Sequence, residues 1–330
     1  MRTRSVIEKR EDGLALALFA GLVLLPLLVE SWRLIDVAIY LTYAMLAASL
    51  AFVWGHVGLL CLGQAVFFGL GAYAMSFVTM GMVPGLEAVT SSYVGLAAAM
   101  IVPALAGALI GWFVFSAKGL HGAFFGVVTL AIAVVVEKLF VNWSFAGGLN
   151  GLIGVPSFMP VPGDAGEVTD EYAIYAIAVV ALAATIALYR AVQRSSTGLL
   201  LASIRSREAR TLAFGFDTAA LKTRAFALAA AVSGLAGALF VTQFNFASPT
   251  LIGFNLSAEA LIWVALGGRR SVVTAALGAI AFRALEANLS GVIGETWLLI
   301  VGALFIGAVL LAPNGLFGTP LAAGRRKVSG

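Results

Sequence analysis

Apolar runs recur along the whole chain, separated by short polar stretches. They fall at 14–30, 35–54, 57–80, 93–115, 122–141, 172–191, 223–244, 258–285 and 296–312. Runs of roughly 17 to 25 residues are long enough to cross a bilayer as helices. They are continuous and do not alternate, so the pattern predicts helices and not the strands of a barrel. Gly267-Gly268-Arg269-Arg270 interrupt one run, which predicts a short or re-entrant piece over 258–266 and a separate helix from Ser271 to Phe282. Gly147-Gly148-Leu149-Asn150-Gly151-Leu152-Ile153-Gly154-Val155-Pro156 follows the fifth run and cannot continue a helix. The expected fold is all-α: a polytopic transmembrane helical bundle of about 8–10 membrane segments, some of them discontinuous. One transmembrane domain spans 1–330, with a loop at 192–222 and another at 142–171 on the opposite face.

The loop from 192 to 222 departs from this apolar pattern. Leu200, Ile204 and Leu212 fall at near-helical spacing, with Arg205, Arg207, Glu208 and Arg210 on the other faces. Ser195-Ser196-Thr197-Gly198 offers capping oxygens in front, and Gly215 is placed to end the helix. An amphipathic helix over 198–216 is therefore expected. It reads either as a docking surface or as a helix lying on anionic lipid.

Composition supports the membrane reading. The chain is 61% hydrophobic and 11% charged, against about 25% charged residues in soluble domains. Charge also sets the orientation. Seven of the 20 Lys and Arg lie between Arg190 and Arg224. Gly81–Ser92 and Asn142–Glu171 carry acidic residues and no Lys or Arg. By the positive-inside rule the basic loop, the Lys118–His121 turn and the tail Arg325-Arg326-Lys327 face the cytoplasm. The two acidic loops face out. Arg2, Arg4, Lys9 and Arg10 precede the first run, which is expected to be an uncleaved membrane helix with a cytoplasmic N-terminus. The net charge of +4 is explained by these loops and does not call for nucleic acid. Cys61 is the only cysteine, so no intrachain disulfide can form.

Candidate chemistry is sparse. No Gly-x-x-x-x-Gly-Lys-[Ser/Thr] or His-Glu-x-x-His occurs, so no nucleotide site, catalytic residue or cofactor is expected. His56 and His121 are too isolated for a metal site. Gln64, within Gly63-Gln64-Ala65-Val66-Phe67-Phe68-Gly69-Leu70-Gly71-Ala72-Tyr73, needs a partner in lipid and should face the bundle interior or a pore. The glycines of that run suit close helix approach. Glu137 and Lys138 read as interfacial, Glu259 as a residue at a helix start, and Arg283 with Glu286 as an i,i+3 pair. Charges at mid-membrane depth are nearly absent, which speaks against a stand-alone secondary transporter or channel.

Several of these stretches together resemble the permeases of ABC importers for branched-chain amino acids and the related urea importers. Gly63-Gln64-Ala65 through Tyr73 is similar to the family's Gly-Gln-x-Ser-x-Gly-x-Ala-x-Phe-x-Gly-x-Gly-Ala-Tyr segment. Gly147–Pro156 is similar to its Gly-Gly-x-Asn-Gly-Leu-x-Gly-x-Pro. Leu199 to Gly215, with Ile204-Arg205 and Glu208-Ala209, resembles the loop that docks on the ATPase, although Arg210 replaces an alanine of the motif. Ser257-Ala258-Glu259 through Gly267-Gly268, and Pro313-Asn314-Gly315-Leu316, complete the match; Arg270 stands where the family often has glycine.

The resemblance implies a permease subunit in a bacterial inner membrane, multi-pass, with both termini cytoplasmic and surrounded by lipid. Its implied partners are a homologous second permease, two cytoplasmic ATP-binding subunits and an extracytoplasmic solute-binding protein. Branched-chain amino acids are the first expected substrate, with urea or short amides as the alternative. Leu200, Ile204, Arg205, Arg207, Glu208, Ala209 and Gly215 are then the expected ATPase-coupling residues. Gln64, Phe68, Gly69, Gly71, Tyr73, Glu259, Gly267 and Gly268 are the expected lining of the path.

Overall fold

The computed structural model describes residues 6–85, 90–116, 123–159 and 168–293, together with Gly302 and Gly315. Expectations for Arg2, Arg4, Glu87, Lys118, His121, Asp164, Glu167, the run at 296–312 and the basic tail lie outside the described residues.

The apolar runs become helices. They are α1 (Val6–Leu24), α2 (Ser31–Phe52), α3 (Gln64–Thr79), α4 (Ser92–Ser116) and α5 (Ala123–Asn142). After them come α6 (Glu171–Arg194), α7 (Ser196–Ala213), α8 (Thr218–Phe244), α9 (Phe254–Gly267) and α10 (Val272–Ile293). Among the described residues six helices are long and apolar enough to cross a membrane, and α3 and α9 are shorter apolar helices. α8 packs along α3, α4 and α2, while α2 also packs on α6, α10 and α9. α2 and α8 are therefore the buried centre of the bundle.

Small residues let these central helices close up. A methyl group on Gly71 of α3 would overlap the backbone of Gly234 on α8. Approach this close places backbone against backbone, which is how apolar helices gain contact when lipid is as greasy as they are.

Two stretches differ from the expected pattern. The run over 57–80 is not one helix. α2 ends in a π turn, Val53–Val57, closed by Gly58 at φ 87°. Residues 58–63 are non-helical, and α3 starts only at Gln64. This buried backbone is tolerated because protein groups satisfy it. The Leu62 N–H donates to Thr129 Oγ1 at 3.0 Å, and the Ala65 N–H donates to Ser257 Oγ at 3.1 Å. The glycine-rich stretch after α5 contains a strand, β1 (Leu152–Ile153), paired antiparallel with β2 (Phe246–Ala247) just after α8. Asn245, at φ 56°, fastens the clasp by donating from Nδ2 to the Val155 carbonyl at 2.9 Å.

The break at 268–271 is present, as expected from Gly267-Gly268-Arg269-Arg270. It separates α9 from α10, and α9 begins earlier than the apolar count places it, at Phe254. The Thr274 hydroxyl donates to the Gly268 carbonyl at 3.1 Å, which satisfies the freed backbone.

Candidate functional site

α7 stands at the end of the bundle that carries the basic residues. Asp12 of α1 bridges Arg190 and Arg194 of α6 at 3.1 and 2.9 Å, so the start of α1 and the end of α6 share that end. Ser195 caps α7, its hydroxyl accepting from the Gly198 N–H at 3.3 Å. Gly215, at φ 83°, follows the last turn. The expected single helix over 198–216 is corrected in one respect. α7 is bent at Arg207, whose backbone is extended at φ −155° and ψ 89°. The bend accompanies a polar contact: Glu208 accepts from Lys222 Nζ at 2.5 Å and from Thr218 Oγ1 at 3.0 Å, both on α8. Lys222 is buried, so this carboxylate is its counter-charge.

One face of α7 packs inward and another is left open. Leu201 and Ile204 are buried, and Leu200 is half-buried. Arg207, Ala209 and Arg210 are exposed. So are Leu199, Leu212, Phe214 and Phe216, with Phe214 at 75%. The sequence pattern missed Phe214 and Phe216. Two phenylalanines flanking a helix-ending glycine in a basic loop were the available signal.

Arg205 joins α7 to the membrane helices. Its guanidinium donates to the carbonyl of Gly55, inside the π turn. Its stem lies on Gly58, where an added Cβ would stand 2.9 Å from Arg205 Cγ. A side chain at Gly58 would therefore meet both a left-handed backbone and this stem. His56 of the same turn lies 3.4 Å from Gln193 at the end of α6. On its other side the turn meets the break between α9 and α10. A Cβ on Gly55 would overlap the Arg269 carbonyl, and the Arg269 guanidinium lies 5.3 Å from the centre of the Trp54 ring. The π turn thus touches α7, α6 and the α9–α10 break at once. Single π turns inside α-helices are frequent at functional sites.

The residues expected along the path do not form one open channel. Gln64, Phe68 and Tyr73 are fully or almost fully buried. Gln64 Nε2 donates to Ser49 Oγ at 3.1 Å and to Ser233 Oγ at 2.8 Å, tying α3 to α2 and α8. Gly69 packs on Ile252. Gly267 packs on the Thr274 carbonyl, and both Gly267 and Gly268 pack against Gly315. Tyr73 also lines an apolar cavity of about 500 Å³ with Leu70, Phe77, Val102, Phe140 and Trp143, between α3, α4 and α5. Glu259 lies elsewhere, on the α9 face toward α10, and stands inside its helix and not at the start.

Comparison with known proteins bears on this arrangement. The sequence profile described as branched-chain amino acid transport system / permease component matches residues 35–309. The chain belongs to that permease family. Two relatives carry the description "high-affinity branched-chain amino acid transport system permease protein LivM", one from Salmonella typhimurium and one from Escherichia coli. Each is 28% identical over 304 residues, covering 86% of this permease and 69% of the relative. No solved structure matches. The family match spans the π turn, α7 and both broken helices of the permease.

Proposed function

We propose that this permease is the membrane-crossing subunit of an ATP-driven importer for branched-chain amino acids, and that α7 is where a cytoplasmic ATP-binding subunit docks. The observation that carries the reading is the Arg205–Gly55 contact. It fastens a helix with an open apolar rim to a π turn that also touches a break in the membrane helices. A push on α7 would move the π turn, and the turn would move α2 against the α9–α10 break. Rigid-body shifts of this kind are how packed helices switch between discrete states.

The partners in this reading are a homologous second permease, two ATP-binding subunits and an extracytoplasmic solute-binding protein. In this reading the bundle lies in the bacterial inner membrane with both termini cytoplasmic; for the N-terminal end, the meeting of Asp12 with the basic end of α6 supports it. The path in this reading is lined by Gln64, Phe68, Gly69, Gly71, Tyr73, Glu259, Gly267 and Gly268, and it opens when the helices that carry them part. Specificity is shared with the binding protein.

The test is uptake into proteoliposomes holding the assembled complex. ATP-dependent accumulation of leucine, lost when α7 is disrupted, supports the reading. Accumulation of urea or a short amide with no leucine uptake moves the substrate to the alternative class. Transport by this chain alone, without ATP, replaces the importer with a secondary transporter or channel.

A further inference from the structure

Three charged side chains meet on the α9–α10 face of the bundle. Arg283 of α10 lies 2.6 Å from Glu286 and 3.8 Å from Glu259 of α9. Its guanidinium stands 4.6 Å from the centre of the Tyr43 ring on α2. Tyr43 falls near the middle of the candidate span Ser31–Val57. Arg283 is about 16 Å along α10 from Val272, at about 1.5 Å per residue. The cluster is therefore at mid-depth, where charge is costly and rare and marks function by default.

Pairing alone does not explain it. Arg283 and Glu286 already neutralise each other at 2.6 Å. Glu259 adds a second carboxylate, which leaves the cluster with an excess negative charge when all three are ionised. Its contact with Arg283, at 3.8 Å, is beyond hydrogen-bond reach, and no hydrogen bond to Glu259 is present among the described residues. Its side chain is 41% exposed. A carboxylate facing hydrocarbon is costly, which favours a wet path or a polar partner at this face of α9 and α10. The arginine also has spare donors. Both its ion contacts use Nη1, and Nε is buried with no hydrogen-bond partner among the described residues. Glu286 and the Tyr43 ring hold the guanidinium in place, and no contact to Nη2 is present among the described residues.

We propose that Glu259 and Arg283 form the head-group site for a zwitterionic α-amino acid on the translocation path. Glu259 accepts from the ammonium group, and Arg283 donates from Nη2 to the carboxylate. Glu286 and Tyr43 are positioning residues. The site requires one donor group and one acceptor group on the solute, which a zwitterion presents side by side. It rests on the amino-acid reading above and adds the residues that read the head group. It also places the α9–α10 face on the path.

The test uses the complete complex in proteoliposomes. Glu259→Gln should lower ATP-driven leucine uptake about tenfold or more, as expected for losing one charge-assisted hydrogen bond. A variant that imports leucine as fast as the wild type overturns the site and leaves the importer reading intact. A second measurement needs no variant: labelling of the wild-type complex by an apolar carbodiimide, located by mass spectrometry. Glu259 should react, and turnover with saturating leucine should slow its labelling while urea does not. Equal labelling with and without leucine overturns the site. A wild-type complex that imports urea and no leucine overturns the amino-acid reading itself.

Discussion

Arg205 and Gly55 are 150 positions apart, and the guanidinium of one donates to the carbonyl of the other. The acceptor belongs to a π turn whose register frees backbone carbonyls from ordinary helix pairing. Arg205→Ala would leave that turn without its tie to α7. Leucine uptake by the reconstituted complex should fall about tenfold to a hundredfold, the range for one charged hydrogen bond. ATP hydrolysis should persist, uncoupled from transport. Arg205→Lys should recover only part, because one ammonium does not reproduce the fork of donors.

The rim of α7 makes a separate prediction. Phe214 and Leu212 are exposed at 75% and 53%. If they are buried on an ATP-binding subunit, Phe214→Ser with Leu212→Ser should weaken the complex by about 2–4 kcal/mol. Co-purification of the ATP-binding subunit with the permease measures it, and unchanged recovery would remove α7 as the dock. The fold of the permease itself should change little, since both side chains are more than half exposed.

Gly71→Val should be strongly destabilising, because its first added carbon already overlaps Gly234. Overpacking of this kind costs about 1–3 kcal/mol or more. Gly21→Ala is the control: nothing lies within 4 Å of the added carbon, and the change should be neutral or stabilise α1 by up to about 1 kcal/mol. Thermal unfolding in detergent should separate the two by several degrees.

Glu208→Ala should cost about 2–4 kcal/mol, because it strips the counter-charge from the buried Lys222. Combining it with Lys222→Met should recover most of that loss, since the double variant leaves no unpaired charge. A double-variant cycle in thermal unfolding reads the coupling, and additive losses would mean that the pair is not a unit.

The sequence by itself determined most of the helices and the break after Gly267. Each of these follows from local chemistry. Lipid demands long apolar runs, and paired glycines followed by charge favour the end of a helix. The family was legible for the same reason, since its motifs are short runs around glycines. Even the 2.6 Å Arg283–Glu286 pair was readable, because i,i+3 spacing holds on any helix. Tertiary structure alone decided what depends on two distant segments meeting. The non-helical start before Gln64 needs Thr129 and Ser257 to satisfy it. The bend at Arg207 goes with Lys222 and Thr218 awaiting Glu208. Charges that read as nearly absent from mid-membrane become a cluster only when α9 folds beside α10 and brings Glu259 to Arg283. Side chains on different helices meet according to helix register and crossing, and no local pattern encodes either.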